Sequence, residues 1–218
     1  LVLFRWVGYR RKVVLGNLRR SFPEKPEQEI REIADRFYRF LADQIMETLK
    51  MYSLTEDELR ERTQLEGAEI ADQFHKQGKS ILIVCAHIGN YEFGAIRYAL
   101  ETPYRVNTVY KQLTSPLLDQ FLRDSRSRFG NNLVPTKTFR SLLQEEKEAG
   151  ILSASGLMSD QTPSARKGYW MEFLNQDTPV FISCEQLAKE HDMPMVYAEE
   201  ERLHGGRYVL KFRLLFSK

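Results

Sequence analysis

The sequence of 218 residues contains few cysteines and no long apolar run. The first absence argues against a cysteine-bound metal site, and the second against a membrane-spanning helix. Its two cysteines, Cys85 and Cys184, lie far apart in apolar stretches, so no metal-binding cysteine spacing is present. Isolated thiols of this kind are typical of a reducing compartment. No apolar run approaches the roughly 20 residues that a helix needs to span a bilayer. The chain does not begin with Met, so its first residues could be the end of a longer anchor, and the C-terminus could be truncated as well.

Acidic residues are absent from residues 1–20, which instead carry six basic side chains interleaved with aromatic and aliphatic ones. The basic residues are Arg5, Arg10, Arg11, Lys12, Arg19 and Arg20. This pattern favours an anionic membrane surface, where each basic residue adds about 1 kcal/mol to binding. Nucleic acid is the competing partner for such a segment. An ordinary first helix with a solvated basic face is the third interpretation.

Hydrophobic periodicity divides the remaining chain into a helical part and an alternating part. Apolar residues at three- and four-residue steps predict a helix over Pro26–Tyr52. Thr55 and Glu58 have the spacing of a capping box that starts a short helix. A further helix is expected over Ala68–Gln77, ended by Gly78.

Beyond residue 80, short apolar runs alternate with helical stretches. The runs that predict strands are Ser80–Ala86, Arg105–Tyr110, Ile151–Ala154 and Met195–Ala198. The helical stretches between them are Tyr91–Leu100, Pro116–Phe129, Thr138–Glu148 and Cys184–Glu190. This order predicts an α/β fold with a mostly parallel sheet flanked by helices. Gly205-Gly206 predicts a hairpin at an antiparallel sheet edge. We expect an N-terminal basic, membrane-proximal helical region over 1–62 and an α/β core over 63–218.

The segment HIGNYE, residues 87–92, follows the first predicted strand. In an open α/β sheet, ligands bind beyond the carboxyl ends of the strands. A carboxylate at Glu92 could hold one ring nitrogen of His87 protonated and leave the other free to accept a proton from a hydroxyl. The alternative is structural: His87 bonds a backbone group while Glu92 favours the helix dipole.

Taken together, several short motifs resemble the bacterial lipid A biosynthesis acyltransferases, which belong to the His-x4-Asp/Glu acyltransferase superfamily. The motifs are YRRKVVLGNL at 9–18, SFPEK at 21–25, HIGNYE at 87–92, VYK at 109–111, RSRFG at 126–130, SDQ at 159–161 and FLNQDTP at 173–179. The family more often has Trp at the position of Tyr91 and Arg at that of Lys111. FLNQDT looks like a variant of its Phe-Phe-Gly block.

By this resemblance, His87 and Glu92 are a catalytic dyad that transfers a fatty acyl group from an acyl carrier protein thioester to a hydroxyl of a lipid A precursor. The reaction would need no metal and no cofactor, and its partner would be the cytoplasmic face of a bacterial inner membrane rather than nucleic acid. A cation or a backbone amide should stabilise the oxyanion. We expect Lys111 to supply this charge, and Asn90 to fix the loop or add a donor.

Four further residues are candidates for binding substrate or shaping the site. Arg126 and Arg128 lie on faces about 200° apart on one predicted helix, so only one can point fully into a common site. Arg128 resembles the more regular family position, and a surface ion pair is its alternative. Asp160 follows a strand and could organise the site with Gln161 or simply stabilise its loop.

Three other functions compete with this prediction. A serine or cysteine hydrolase lacks support because the chain has no Gly-x-Ser-x-Gly elbow and Cys85 lies inside a buried strand. A glycerophospholipid acyltransferase would use the same dyad on a lysophosphatidate-type acceptor. A non-catalytic membrane-surface module would leave the HIGNYE segment unexplained.

Overall fold

The computed structural model describes residues 8–164, 166 and 168–217. Residues 1–7, which include Arg5 of the basic segment, lie outside the described residues. Eight α-helices occur in the described part of the chain: α1 (Arg11–Ser21), α2 (Glu27–Lys50), α3 (Glu56–Arg62), α4 (Glu69–Lys76), α5 (Tyr91–Ala99), α6 (Pro116–Ser127), α7 (Phe139–Glu148) and α8 (Ser183–His191). A 3₁₀ turn, Met51–Ser53, follows α2.

Nine strands of the described residues form one large sheet and one separate hairpin. The strands are β1 (Thr63–Glu66), β2 (Ile81–Cys85), β3 (Arg105–Tyr110), β4 (Asn132–Pro135), β5 (Ser153–Met158), β6 (Tyr169–Phe173), β7 (Gln176–Val180), β8 (Met195–Arg202) and β9 (Tyr208–Phe216). The large sheet has the order β1-β9-β8-β2-β5-β3-β4, and β6 pairs with β7. Of the six pairings in the large sheet, five are parallel, which confirms the predicted fold class.

Local sequence signals explain where several elements begin and end. Thr55 and Glu58 make both hydrogen bonds of the predicted capping box at the start of α3. The predicted hairpin at Gly205-Gly206 joins the antiparallel strands β8 and β9. That hairpin does not form the sheet edge, however, because β1 pairs with the outer side of β9. The short strands β1 and β4 were not predicted, since neither of their sequences, TQLE and NLVP, is a continuous apolar run.

The chain divides into two compact units. One unit contains residues 1–50 and 162–180, and therefore α1, α2 and the β6–β7 hairpin. The other contains residues 51–161 and 181–218, and therefore the whole seven-stranded sheet. The division predicted at residue 62 stays a prediction. Among the helices that the structure describes, none is both long enough and apolar enough to cross a bilayer.

The sheet is buried by helices packed against it. Ile81, Ile83, Ala154 and Val196, from three adjacent strands, share one buried cluster. Leu82 belongs to a second cluster with side chains of α7 and α8, so β2 is covered on both faces. Each large apolar side chain so buried contributes roughly 1.5–3 kcal/mol. The central strand is therefore held firmly, and the loop after it starts from a fixed point.

Candidate functional site

The carboxyl ends of β2, β5 and β3 meet at one edge of the sheet. Cys85 is in register with Met158 across β2 and β5, and Ser159 N–H donates to the Cys85 carbonyl at 3.0 Å. The loops that follow β2 and β5 therefore begin side by side. His87 follows β2 and Asp160 follows β5, so the topology alone brings them together.

Asp160 holds His87 through both of its carboxylate oxygens. Its Oδ1 lies 2.7 Å from the ring Nδ1, and its Oδ2 accepts the backbone N–H of His87 at 2.9 Å. The Tyr91 ring stands edge-on to the imidazole, with centroids 4.9 Å apart. With Nδ1–H donating to the carboxylate, Nε2 carries the lone pair. Both side chains are about one-third exposed, at 32% and 36%, so the imidazole is accessible to a substrate.

Glu92 makes a different contact from the one the sequence predicted. Its carboxylate accepts two hydrogen bonds from Arg126, at 2.8 Å from Nε and 2.5 Å from Nη2. Burial alone would lower the pKa of Arg126, but the hydrogen bonds and the charge of Glu92 outweigh burial and leave that pKa above its ordinary value. The carboxylate on the imidazole is thus Asp160, and Glu92 belongs to a buried ion pair beside it.

The helix start explains this arrangement. Asn90 is fully buried, and its side-chain oxygen accepts the N–H of Phe93 at 3.1 Å, so Asn90 caps α5. Glu92 consequently lies in the first turn of α5 rather than in the loop. Gly89 has a φ of +64°, which turns the chain between His87 and this cap.

The other predicted site residues occupy separate positions. The guanidinium of Arg128 donates to the backbone carbonyls of Met51, Tyr52 and Leu54, so it ties α6 to the segment after α2. Of Arg126 and Arg128, Arg126 is therefore the one that contacts the HIGNYE segment, whereas Arg128 lies just past the end of α6. Lys111 directly follows β3 and is exposed, and its ammonium has no partner among the described residues. Gln161 is exposed next to Asp160.

An apolar cavity opens between α5 and the sheet. Ala86 and Ile88, which flank His87 in sequence, line it together with small and aromatic residues further in. The further lining includes Gly94, Ala95, Tyr98, Gly156, Ala198 and Phe212. Tyr91, whose ring packs against the His87 imidazole, also lines the cavity, so one side chain separates the imidazole from this mainly apolar space.

Glu200 on β8 lies in this lining and was not predicted from the sequence. It is buried at 5% exposure, and a Cβ at Gly89 or Gly94 would lie 2.9 or 3.0 Å from its carboxylate oxygens. At Gly89 the added Cβ would also lie 2.9 Å from the Glu200 backbone carbonyl oxygen, so the loop needs a glycine there to pack against β8. The burial of Glu200 could have been predicted from the alternation of side chains along β8, since Val196, Ala198 and Glu200 all face inward.

The thiols near the site do not favour a nucleophilic cysteine. Burial raises the pKa of Cys85 to about 12 and also raises the pKa of Cys184. Both therefore stay protonated near neutral pH, which argues against the cysteine hydrolase. Within residues 8–164, 166 and 168–217, no three His, Cys, Asp or Glu side chains form a group that could hold a metal ion.

We expect Glu92→Leu to destabilise the fold by about 3–5 kcal/mol, because it leaves the Arg126 charge buried without its partner. The two side chains are only 8% and 13% exposed. Denaturant unfolding measures the loss. The matched control is Glu190→Leu in the exposed Arg140–Glu190 pair, where we expect at most about 1 kcal/mol. The double variant Glu92→Leu/Arg126→Met should recover much of the stability, and equal losses in Glu92→Leu and the control would contradict the burial argument.

Comparison with known proteins identifies one family. The family model for bacterial lipid A biosynthesis acyltransferases matches residues 2–212. A lipid A biosynthesis lauroyltransferase of Escherichia coli is 25% identical over 148 residues, which cover 68% of this chain and 48% of the relative. A lipid A biosynthesis acyltransferase of Haemophilus influenzae is 27% identical over 139 residues, which cover 63% of this chain and 43% of the relative. The matched regions span about half the length of these relatives. The chain belongs to the bacterial lipid A biosynthesis acyltransferase family.

Proposed function

We propose that this chain transfers a fatty acyl group from an acyl carrier protein thioester to a hydroxyl of a lipid A precursor. The observation that carries the proposal is the His87–Asp160 pair, which Tyr91 joins to an adjacent apolar cavity. A base held in one tautomer next to a carbon-lined cavity suits a reaction between a hydroxyl and a long-chain acyl group. Family membership and the names of the relatives support the acyl and lipid A assignments.

The chemistry follows from the free Nε2 of His87. This nitrogen takes the proton of the acceptor hydroxyl as the oxygen attacks the thioester carbonyl, and a tetrahedral oxyanion forms. When the intermediate collapses, the C–S bond breaks, and the thiolate receives the proton from His87. Asp160 stabilises the imidazolium that exists between these steps. No acyl-enzyme intermediate is required.

The remaining predicted residues have distinct roles in this proposal. Lys111 supplies positive charge for the oxyanion from the end of β3. Asn90 fixes the loop by capping α5, and Arg126 keeps Glu92 and the first turn of α5 in place. Gln161 contacts the acceptor, whereas Arg128 acts through the fold. The acyl chain lies in the apolar cavity.

We also propose which part of the chain is catalytic and where the protein lies in the cell. Residues 63–218 form the catalytic core, and residues 1–62 form a membrane-proximal region at the cytoplasmic face of a bacterial inner membrane. The support is the basic character of the N-terminal segment, in which Arg10, Arg11 and Lys12 are exposed. Because the acceptor is a membrane lipid, a surface position would give the site access to it.

A two-by-two transfer assay tests donor and acceptor together. Radiolabelled acyl groups are offered on acyl carrier protein or on coenzyme A, and the acceptor is a tetra-acylated lipid A precursor or lysophosphatidate. We expect product only with acyl carrier protein and the lipid A precursor, and none with His87→Ala. Transfer to lysophosphatidate alone would replace the proposed acceptor by a glycerophospholipid. Transfer that survives His87→Ala would overturn the mechanism.

A further inference from the structure

The β6–β7 hairpin presents an apolar face to solvent. Tyr169, Met171 and Phe173 alternate along β6 and therefore point to the same side of the hairpin. Their exposed fractions are 62%, 46% and 55%. Such large side chains are usually covered in a folded protein, so a row of three indicates a surface that something else contacts.

The tip of the hairpin extends this face. A two-residue turn, Leu174-Asn175, joins the strands, with φ values of +50° and +59°. Both positions favour Asn, Asp or Gly, and a leucine is strained there. Leu174 is nevertheless 44% exposed and thus gains little from packing within the chain. A strained, exposed leucine at the end of an apolar row points to a contact outside the protein.

Helix α1 places positive charge on the same unit. The Arg20 side chain donates to Gln176 Oε1 at 2.8 Å, and Asn175 donates to the Ser21 carbonyl at 3.1 Å. These bonds fix the hairpin tip at the end of α1, whose Arg11 and Lys12 are exposed. The hairpin's acidic residues, Glu172 and Asp177, pair across the strands on the side opposite the apolar row. The same compact unit thus carries exposed cations on α1 and an exposed apolar row on the hairpin, and the hairpin's carboxylates lie on the other side of that row.

We propose that α1 and the β6–β7 hairpin form a contact surface for an anionic lipid bilayer. The hairpin's apolar row and Leu174 enter the boundary between headgroups and acyl chains, and the cations of α1 bind the lipid phosphates. Charge complementarity favours anionic lipid, and the aromatic and aliphatic mixture suits the bilayer interface. The proposal rests on the membrane location proposed above and adds the hairpin as the part that enters the bilayer. Vesicle binding needs neither donor nor acceptor, so it can fail separately from acyl transfer.

Vesicle sedimentation tests the hairpin directly, with phosphatidylcholine vesicles that contain or lack phosphatidylglycerol. We expect Met171→Asp/Phe173→Asp to weaken binding about tenfold or more, because each side chain loses apolar burial. The matched control is Met46→Asp on α2, in the same unit and 65% exposed, which should bind like the wild type. Arg11→Gln and Lys12→Gln should each weaken binding to the anionic vesicles about fivefold and reduce its dependence on salt.

Fluorescence gives a second readout that does not depend on a disruptive variant. The variant Phe173→Trp, with Trp6 and Trp170 both changed to Phe, has a single tryptophan at the hairpin. Its fluorescence emission should shift to the blue on vesicle binding and be quenched by lipids brominated on their acyl chains. An unshifted spectrum on fully bound protein would overturn the proposal. So would a double variant that binds like the wild type, or equal losses in the Met46→Asp control. If the double variant instead loses self-association or the binding of acyl carrier protein while it binds vesicles normally, a protein partner replaces the bilayer.

Discussion

His87→Ala is expected to lower acyl transfer about 10²–10⁴-fold, the usual contribution of a positioned general base. Without the imidazole, the acceptor hydroxyl must lose its proton to water as it attacks. The thiolate also loses the donor that protonates it. The measurement is the initial rate of labelled acyl transfer at saturating donor, with protein concentration corrected for the folded fraction.

The histidine control is His75→Ala. His75 lies on α4 and packs edge-on against Tyr104. Tyr104 precedes β3 and therefore lies at the amino end of that strand, whereas His87 follows the carboxyl end of β2. Its loss can affect stability but should leave the rate per folded molecule unchanged. If His87→Ala keeps more than about a tenth of the wild-type rate, a group other than His87 must accept the proton.

Asp160→Asn is expected to reduce transfer by a similar factor, about 10²–10⁴, through the tautomer of His87. The carboxylate now accepts two N–H groups, the ring Nδ1–H and the backbone N–H of His87. An amide has only one acceptor oxygen, so its NH₂ must face one of these donors. If the NH₂ faces the ring, Nδ1 becomes the acceptor and the proton moves to Nε2, which can then no longer act as base.

A structural effect and a tautomer effect can be separated by nitrogen NMR of the His87 ring, which reports which nitrogen carries the proton. We expect the proton on Nδ1 in the wild type and on Nε2 in Asp160→Asn. Glu92→Gln is the matched change at a carboxylate that contacts Arg126 instead, and it should leave the tautomer unchanged. If Glu92→Gln moves the proton and Asp160→Asn does not, the orienting carboxylate is Glu92.

The fold could be predicted from the sequence largely because its elements are periodic. The β-branched run in β2 and the three- and four-residue spacing of α2 each express one dominant local preference. The β6–β7 hairpin shows no such pattern, since every side chain of β6 is exposed and no alternation of buried and exposed residues marks the strand. Its turn also lacks the Asn-Gly or Asp-Gly pair that marks a tight hairpin.

The site was harder to predict because its contacts join distant parts of the chain. The position of His87 follows from strand β2, which is local information. The identity of its carboxylate depends on which strand lies beside β2. That strand is β5, which begins 68 residues after β2 ends and ends 77 residues after β2 begins. Glu92 was the nearer carboxylate in sequence, but the Asn90 cap fixes it in α5, where Arg126 can reach it.

The sheet order also determines when the candidate site can form during synthesis. Strand β2 lies between β5 and β8, and the edge strand β1 pairs with β9, the last strand described. A nascent chain that has emerged as far as β2 therefore exposes an unpaired apolar strand with neither neighbour available. The His87–Asp160 pair can form once the segment after β5 has left the ribosome, but the cavity wall contributed by β8 and β9 follows only later. The complete site therefore depends on contacts between strands far apart in sequence, and it can form only after β9 has emerged.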